Sequence, residues 1–267
     1  MRNQRKININ EVRLGSSIKN KKMLLSDLAK MIDHSLLHPT LTDNDIIKGC
    51  ELAADYKVAA VCIKPYSIDL VKNRLINSDV VICAVAGFPH GNSSITIKLK
   101  ESEELLKKGA TEIDTVVNIG KVLSADWEYV SDEIEAINQL VINNNAILKV
   151  IFENDFLGDK QIIRLCEICS KIKVAFVKTS TGYGFVKQAN GFYSYKGATD
   201  HHLMLMRKNC IPEVKIKAAG GIRTLADLLR VKSMGVSRIG ASATRDILQE
   251  AKKMMIADQS TGSATIP

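Results

Sequence analysis

The run Val174-Ala175-Phe176-Val177-Lys178-Thr179-Ser180-Thr181-Gly182 decides how the rest of the chain is read. Four apolar residues lead to a lysine, and a Ser/Thr/Gly loop follows. This is the pattern of a short buried strand running into a turn. A stretch with helical spacing of apolar residues, 198–209, separates it from a second run of similar design, Val214-Lys215-Ile216-Lys217-Ala218-Ala219-Gly220-Gly221.

The same alternation extends outward in both directions from about residue 28. Strands are predicted at 29–33, 59–63, 80–86, 112–118, 147–153, 174–178, 214–218 and 236–240. Helices are predicted at 43–56, 66–76, 93–109, 125–143, 159–171, 198–209, 224–234 and 243–257. Helix-start residues agree: Thr42-Asp43, Ser93-Ser94, Asp159 and Thr224 stand where helices should begin. Eight strand–helix units imply an α/β protein with one closed (β/α)8 TIM barrel rather than a doubly wound sheet. The barrel is expected over 28–258, with a short polar N-terminal extension at 1–27 and a flexible C-terminal tail at 259–267. The 267 residues suit the roughly 250 typical of such a barrel. Aromatics at 5% leave a core of Val, Ile, Leu and Ala, as a parallel barrel requires.

The net charge of +8 is unevenly placed. Residues 1–22 hold seven basic groups (Arg2, Arg5, Lys6, Arg13, Lys19, Lys21, Lys22) against Glu11, so six of the eight surplus charges lie there. A nucleic-acid site should instead cluster its basic residues on the folded body. The expectation is a solvated tail or short extra helix, with a partner-binding arm as the alternative, and no nucleic-acid partner. Six cysteines (Cys50, Cys62, Cys83, Cys166, Cys169, Cys210) lie in apolar segments, and the single C-x-x-C has no second pair. They are read as buried thiols of a reducing, cytoplasmic protein. No apolar run follows the basic N-terminus and none approaches 18 residues, so neither a secretory signal nor a membrane partner is expected.

In such barrels chemistry sits at the C-terminal ends of the strands. Lys178 and Lys217 both end strands, and those strands are neighbours about 4.8 Å apart. Two converging, partly buried ammonium groups disfavour each other's charge, and a neutral lysine is a nucleophile for carbonyls. Asp114, in Glu112-Ile113-Asp114-Thr115-Val116-Val117-Asn118, puts a carboxylate on the face it shares with Val116 and Asn118. A buried carboxylate must be paired, and lysines at the mouth would pair it and let it shuttle protons. Lys149 and Asp33 are of the same kind, either structural ion pairs or supports to the site.

Glycine-bearing turns follow strands six, seven and eight: Thr181-Gly182, Gly220-Gly221 and Gly240-Ala241-Ser242. Their amides can hold a phosphate, so a phosphate-bearing small molecule is the expected ligand. The five histidines show no metal-ligand spacing, and His201-His202 on one helix should point in two directions. A mechanism with no metal and no cofactor is therefore expected.

Seven segments occur in order: Ile32-Asp33-His34-Ser35-Leu36-Leu37, Val61-Cys62-Ile63-Lys64-Pro65, Gly87-Phe88-Pro89, Glu112-Ile113-Asp114, Lys149-Val150-Ile151-Phe152-Glu153, Lys178-Thr179-Ser180-Thr181-Gly182 and Lys217-Ala218-Ala219-Gly220-Gly221-Ile222-Arg223-Thr224. Together they resemble the deoxyribose-phosphate aldolases over roughly 28–250. The resemblance implies a lyase in which Lys178 forms a Schiff base, Lys217 lowers its pKa and Asp114 handles protons. It also implies that Gly182, Gly220, Gly221, Gly240 and Ser242 hold the phosphate, with Asp33, Lys149, Cys62 and Thr181 in support. Barrels of this kind often pair, so a homo-oligomer, most simply a dimer, is expected.

Several positions depart from the family pattern. Tyr183–Gly197 is longer than usual and carries Phe185, Phe192, Tyr193 and Tyr195, so it reads as a lid or interface loop. Ala243 stands where Ser or Thr is common, and Glu153-Asn154-Asp155 replaces Glu-Thr-Gly. Two other readings remain open: an aldolase or transaldolase-like enzyme for a different sugar phosphate, and a non-catalytic sugar-phosphate-binding barrel.

Overall fold

Continuous burial, rather than alternation, marks the strands of this protein. In Ala60–Ile63 and in Glu112–Val116 every residue is buried, because one face meets helices and the other meets the barrel interior. The structure is a computed structural model and describes residues 23–261. The basic segment 1–22 and residues 262–267, with the expectations placed on them, lie outside the described residues.

Ten strands are present among the described residues: β1 (Ile32–Leu36), β2 (Ala60–Ile63), β3 (Val81–Ala86), β4 (Glu112–Val116), β5 (Ile147–Ile151), β6 (Phe176–Lys178), β7 (Val186–Lys187), β8 (Tyr193–Ser194), β9 (Lys215–Ala219) and β10 (Arg238–Ala241). Eight close a parallel barrel in the order β1-β10-β9-β6-β5-β4-β3-β2, while β7 and β8 form a separate antiparallel hairpin. The helices are α1 (Leu25–Ala29), α2 (Asp43–Tyr56), α3 (Ile68–Arg74), α4 (Ile95–Lys108), α5 (Ile119–Leu123), α6 (Trp127–Asn143), α7 (Asp159–Ile172), α8 (Asp200–Asn209), α9 (Leu225–Ser233) and α10 (Thr244–Thr261). The expected TIM barrel is thus the observed fold. No described helix is long and apolar enough to cross a membrane.

The apolar core lies between barrel and helices. Val61, Ile63, Ile113, Leu148, Val150 and Ile216 point outward into it with buried residues such as Ile46, Ile137 and Leu165. Each fully buried Ile or Leu contributes roughly 1.5–3 kcal/mol there. The inward face differs. A small cluster of Leu37, Ala60, Cys62, Cys83 and Val85 fills one side, and buried charged residues, among them Asp33, Asp114, Lys149, Lys178 and Lys217, occupy much of the rest.

Several local boundaries differ from the sequence reading. The first strand begins at Ile32 rather than 29, because Leu25–Ala29 forms α1 and carries Leu28 into the core. That helix also takes residues 25–27 out of the expected extension, and α10 continues to Thr261, past 258. Asp159 is the first residue of α7 and not its cap, which is Gly158. By contrast, Thr42 and Thr224 accept from Asp45 N and Asp227 N and cap their helices as expected. Finally, α5 and the β7–β8 hairpin were not expected as regular structure.

Candidate active site

Parity along each strand assembles a charged interior. In register, Asp114 lies opposite Lys149, and Lys178 opposite Lys217. Asp114 is completely buried and gathers three ammonium groups. Lys149 Nζ is 2.9 Å from its Oδ1, while Lys178 Nζ and Lys217 Nζ are each 2.8 Å from its Oδ2. The Cys83 thiol donates to Oδ1 at 3.0 Å, and Cys62 Sγ lies 3.9 Å from Oδ2.

A second carboxylate, Asp33, ties this cluster to the far end of the barrel. Its Oδ2 is 2.5 Å from Lys217 Nζ and 3.6 Å from Lys149 Nζ, and its Oδ1 accepts from Arg238. Glu112 pairs with both Lys149 and Arg238. Three carboxylates therefore face four cations. Within this network Lys149, Lys217 and Arg238 each reach two or more carboxylates, whereas Lys178 reaches only Asp114.

Burial alone would push Asp114 and Asp33 upward, but the surrounding cations outweigh it and hold both below the usual carboxylate range. Burial would likewise lower Lys217 and Lys149. The carboxylates prevail, chiefly Asp114, and both lysines are held above the ordinary lysine value. Asp33, Asp114, Lys149 and Lys217 accordingly hold one another in their charged forms, and Lys178 stands at the C-terminal edge of the group.

The structure brings Lys178, Lys217, Asp114, Asp33, Lys149 and Cys62 into this one network. Thr181 is placed apart from it: its hydroxyl and amide donate to Glu153. Gly182 and the Gly220-Gly221 turn stand at the ends of β6 and β9, all three with positive φ. A Cβ at Gly182 would meet nothing within 4 Å, so the space beside its α-carbon is open. Gly240 lies inside β10 opposite Asp33, not in a turn. A Cβ there would sit 3.3 Å from Ala219 Cβ, a tight approach, and 3.6 Å from Lys217 Cε, an ordinary contact. Ser242 is exposed, just ahead of α10.

Four members of the site were not singled out from the sequence. Glu112 and Cys83 share the inward parity of Asp114 and Val85, and that parity was the available signal. Arg238 enters from the opposite end of the barrel. Glu153 adopts a left-handed backbone (φ 57°) and is buried; burial pushes its carboxyl up to about 7, against the pull of its Thr181 hydrogen bonds.

Among the described residues, two histidines and a carboxylate meet at the surface. His201 Nε2 is 2.9 Å from both oxygens of Asp159, and Asp159, His201 and His202 present ligand-type atoms within 4.8 Å of one another. The same spacing occurs inside the barrel, in Cys62, Cys83 and Asp114 and in Asp33, Cys83 and Glu112. There the carboxylates are already bound by lysine or arginine, which a cation would have to displace.

Comparison with known proteins places the chain among aldolases. Residues 28–250 match the family described as DeoC/LacD family aldolase. A deoxyribose-phosphate aldolase of Rhodopirellula baltica is 47% identical over 229 residues, covering 86% of this chain and 91% of the relative. One of Treponema denticola is 42% identical over 81% of this chain and 96% of its own. Among solved structures, the tetrameric deoxyribose phosphate aldolase of Aeropyrum pernix superposes with a TM-score of 0.77 at 29% identity, covering 86% of this chain and 93% of that one. With a matched segment that spans the whole barrel and relatives well above 30% identity, the chain belongs to the DeoC/LacD family of aldolases.

Proposed function

We propose that this protein cleaves 2-deoxy-D-ribose 5-phosphate reversibly to D-glyceraldehyde 3-phosphate and acetaldehyde through a Schiff base on Lys178. The observation that carries the reading is the convergence of Lys178 and Lys217 on one oxygen of a buried Asp114. The names of the relatives support the choice of substrate.

Lys178 must attack as a neutral amine. It is the cation of the network with a single carboxylate partner, so releasing its proton brings three carboxylates and three remaining cations into balance. Its Nζ adds to the C1 aldehyde of the open-chain sugar, and water leaves to give an iminium. The C3 hydroxyl then loses its proton and the C2–C3 bond breaks. Its electron pair moves toward the iminium nitrogen, forming an enamine and releasing glyceraldehyde 3-phosphate. Protonation of the enamine carbon and hydrolysis return acetaldehyde and Lys178. Asp114 and Lys217 are the groups placed to relay these protons and to stabilise charge as it moves. The Gly182 and Gly220-Gly221 turns, with Ser242, would hold the 5-phosphate through backbone amides.

A different sugar phosphate remains the second reading, and one observation favours it: the Tyr183–Gly197 segment stands beside the mouth with Tyr183 packed on the inner cluster. Rates of cleavage for 2-deoxyribose 5-phosphate, ribose 5-phosphate and fructose phosphates would separate the two. A clear preference for the first supports the proposal, and its absence with turnover of another sugar overturns it. We also read the protein as a cytoplasmic homo-oligomer, most simply a dimer. The tetrameric relative and the six free, buried thiols support that reading. Light scattering on the full chain would test the assembly.

A further inference from the structure

The Glu153-Asn154-Asp155 turn and the long Tyr183–Gly197 segment meet in space. We propose that the turn is a two-point clamp that fixes the segment as a wall of the substrate mouth. Glu153 and Asp155 then act as positioning residues for the phosphate end of the substrate. The inference rests on the reading of that mouth as a sugar-phosphate site.

Glu153 grips the front of the segment. Both its carboxylate oxygens lie 3.2 Å from Thr181 N, and it accepts from the Thr181 hydroxyl. That hydroxyl in turn accepts from Tyr183 N at 2.9 Å. Gly184 passes so close that a Cβ there would lie 2.5 Å from Glu153 Cδ. Asp155 grips the back: its two oxygens accept from Lys196 N at 2.6 Å and Gly197 N at 3.0 Å. The turn itself is laid along the catalytic strand, with Phe152 N donating to Lys178 O and Asn154 N to Thr179 O.

Both gripped ends touch the turns assigned to phosphate. The front leads directly from Gly182. At the back, Ala198 N donates to Gly220 O at 3.1 Å, and a Cβ on Gly197 would lie 2.5 Å from that oxygen. The Tyr195 ring stands 3.3 Å from where a Gly220 Cβ would be. Aromatic contacts fill the space between. Tyr183 meets Phe88 edge-on at 5.7 Å, and Phe185 meets Tyr195 at 5.2 Å. Releasing either grip would therefore loosen the amides around the phosphate while leaving Lys178, Lys217 and Asp114 in place.

The test uses Asp155→Ala, with Asp155→Asn and Glu153→Gln as milder companions that keep an acceptor oxygen. Kinetics are compared for 2-deoxyribose 5-phosphate and unphosphorylated 2-deoxyribose, alongside the rate of tryptic cleavage after Lys187. Loss of two hydrogen bonds to a charged group should raise KM for the phosphorylated sugar about tenfold or more in Asp155→Ala, with a smaller rise in Asp155→Asn. KM for unphosphorylated 2-deoxyribose should stay within about twofold, the effect being confined to the phosphate end. Cleavage after Lys187 should accelerate about tenfold as the hairpin opens locally. Unchanged KM for both sugars, or an equal rise in both, overturns the inference. If the wild type forms no adduct with 2-deoxyribose 5-phosphate, the functional reading falls. Lys187 cleavage then decides the clamp alone, and an unaltered rate in Asp155→Ala and Glu153→Gln would overturn it.

Discussion

Lys178 and Lys217 are direct cross-strand partners on β6 and β9, and both ammonium groups lie 2.8 Å from the same oxygen of Asp114. They are not equivalent. Lys217 is also held by Asp33, deeper in the barrel, while Lys178, among the described residues, pairs only with the shared carboxylate and stands at the strand end. One lysine is thus built into a charge network and the other is presented to the mouth. This division suits a nucleophile beside a fixed cation.

Lys178→Arg should abolish cleavage while preserving the fold. Arginine keeps the charge on Asp114 but stays protonated, so it cannot form the iminium. A fall in kcat/KM of about a thousandfold or more is expected, with a circular dichroism spectrum like the wild type. Retention of a tenth of the activity would remove Lys178 from the nucleophile's role.

Asp114→Asn should damage stability as well as rate. The isosteric amide leaves three buried ammonium groups around a neutral side chain, a loss on the order of 3–5 kcal/mol. Urea unfolding would measure this, and a change under about 1 kcal/mol would contradict the network described above.

The sequence made much of this site legible, and for a definite reason. Lys178, Lys217 and Asp114 occupy strand ends or inward parity positions in runs otherwise suited to burial, where a charge is conspicuous. Glu112 and Cys83 obey the same parity yet read as an ordinary strand start and a core thiol. Only the barrel's closure shows that Lys149 reaches both of them. The first strand was misplaced because Leu28 and Ala29 of α1 run almost directly into Met31 and Ile32, and periodicity cannot split so short an apolar run. β7 and β8 have two residues each, too few for any period to register. The clamp by Glu153 and Asp155 joins segments about 30 to 40 residues apart through backbone amides, which no side-chain pattern announces.

Stability should depend on pH in two distinct windows. Asp33 and Asp114 are held below their unfolded values, so their contribution is present above about pH 4 and is lost as pH falls through the folded values. Glu153 behaves oppositely. Its folded value is raised to about 7, so the folded state binds its proton more tightly and stability declines as pH rises from about 4.5 to 7. That decline should be no more than about 3 kcal/mol, and Glu153→Gln should flatten it in urea titrations between pH 5 and 8. An undiminished slope in that variant would assign the decline to other groups.

A buried ion pair outside the site gives a control in which stability and chemistry separate. Lys98 donates to Val116 O at 2.6 Å and Glu133 Oε1 at 2.7 Å, and Glu133 Oε2 accepts from Asn118 N at 2.9 Å. Lys98→Met strands the buried Glu133 and should cost about 3–5 kcal/mol. Adduct formation per folded molecule should stay near the wild-type level, measured at low temperature where the variant remains native. A thousandfold loss in the folded variant would extend the catalytic network to α4.

The most direct measurement is to incubate the full chain with 2-deoxyribose 5-phosphate, reduce with borohydride and locate the added mass by peptide mapping. The account predicts one stable adduct, on Lys178, that is absent from Lys178→Arg. A folded wild-type protein with no adduct and no acetaldehyde, or an adduct confined to another lysine, would contradict it.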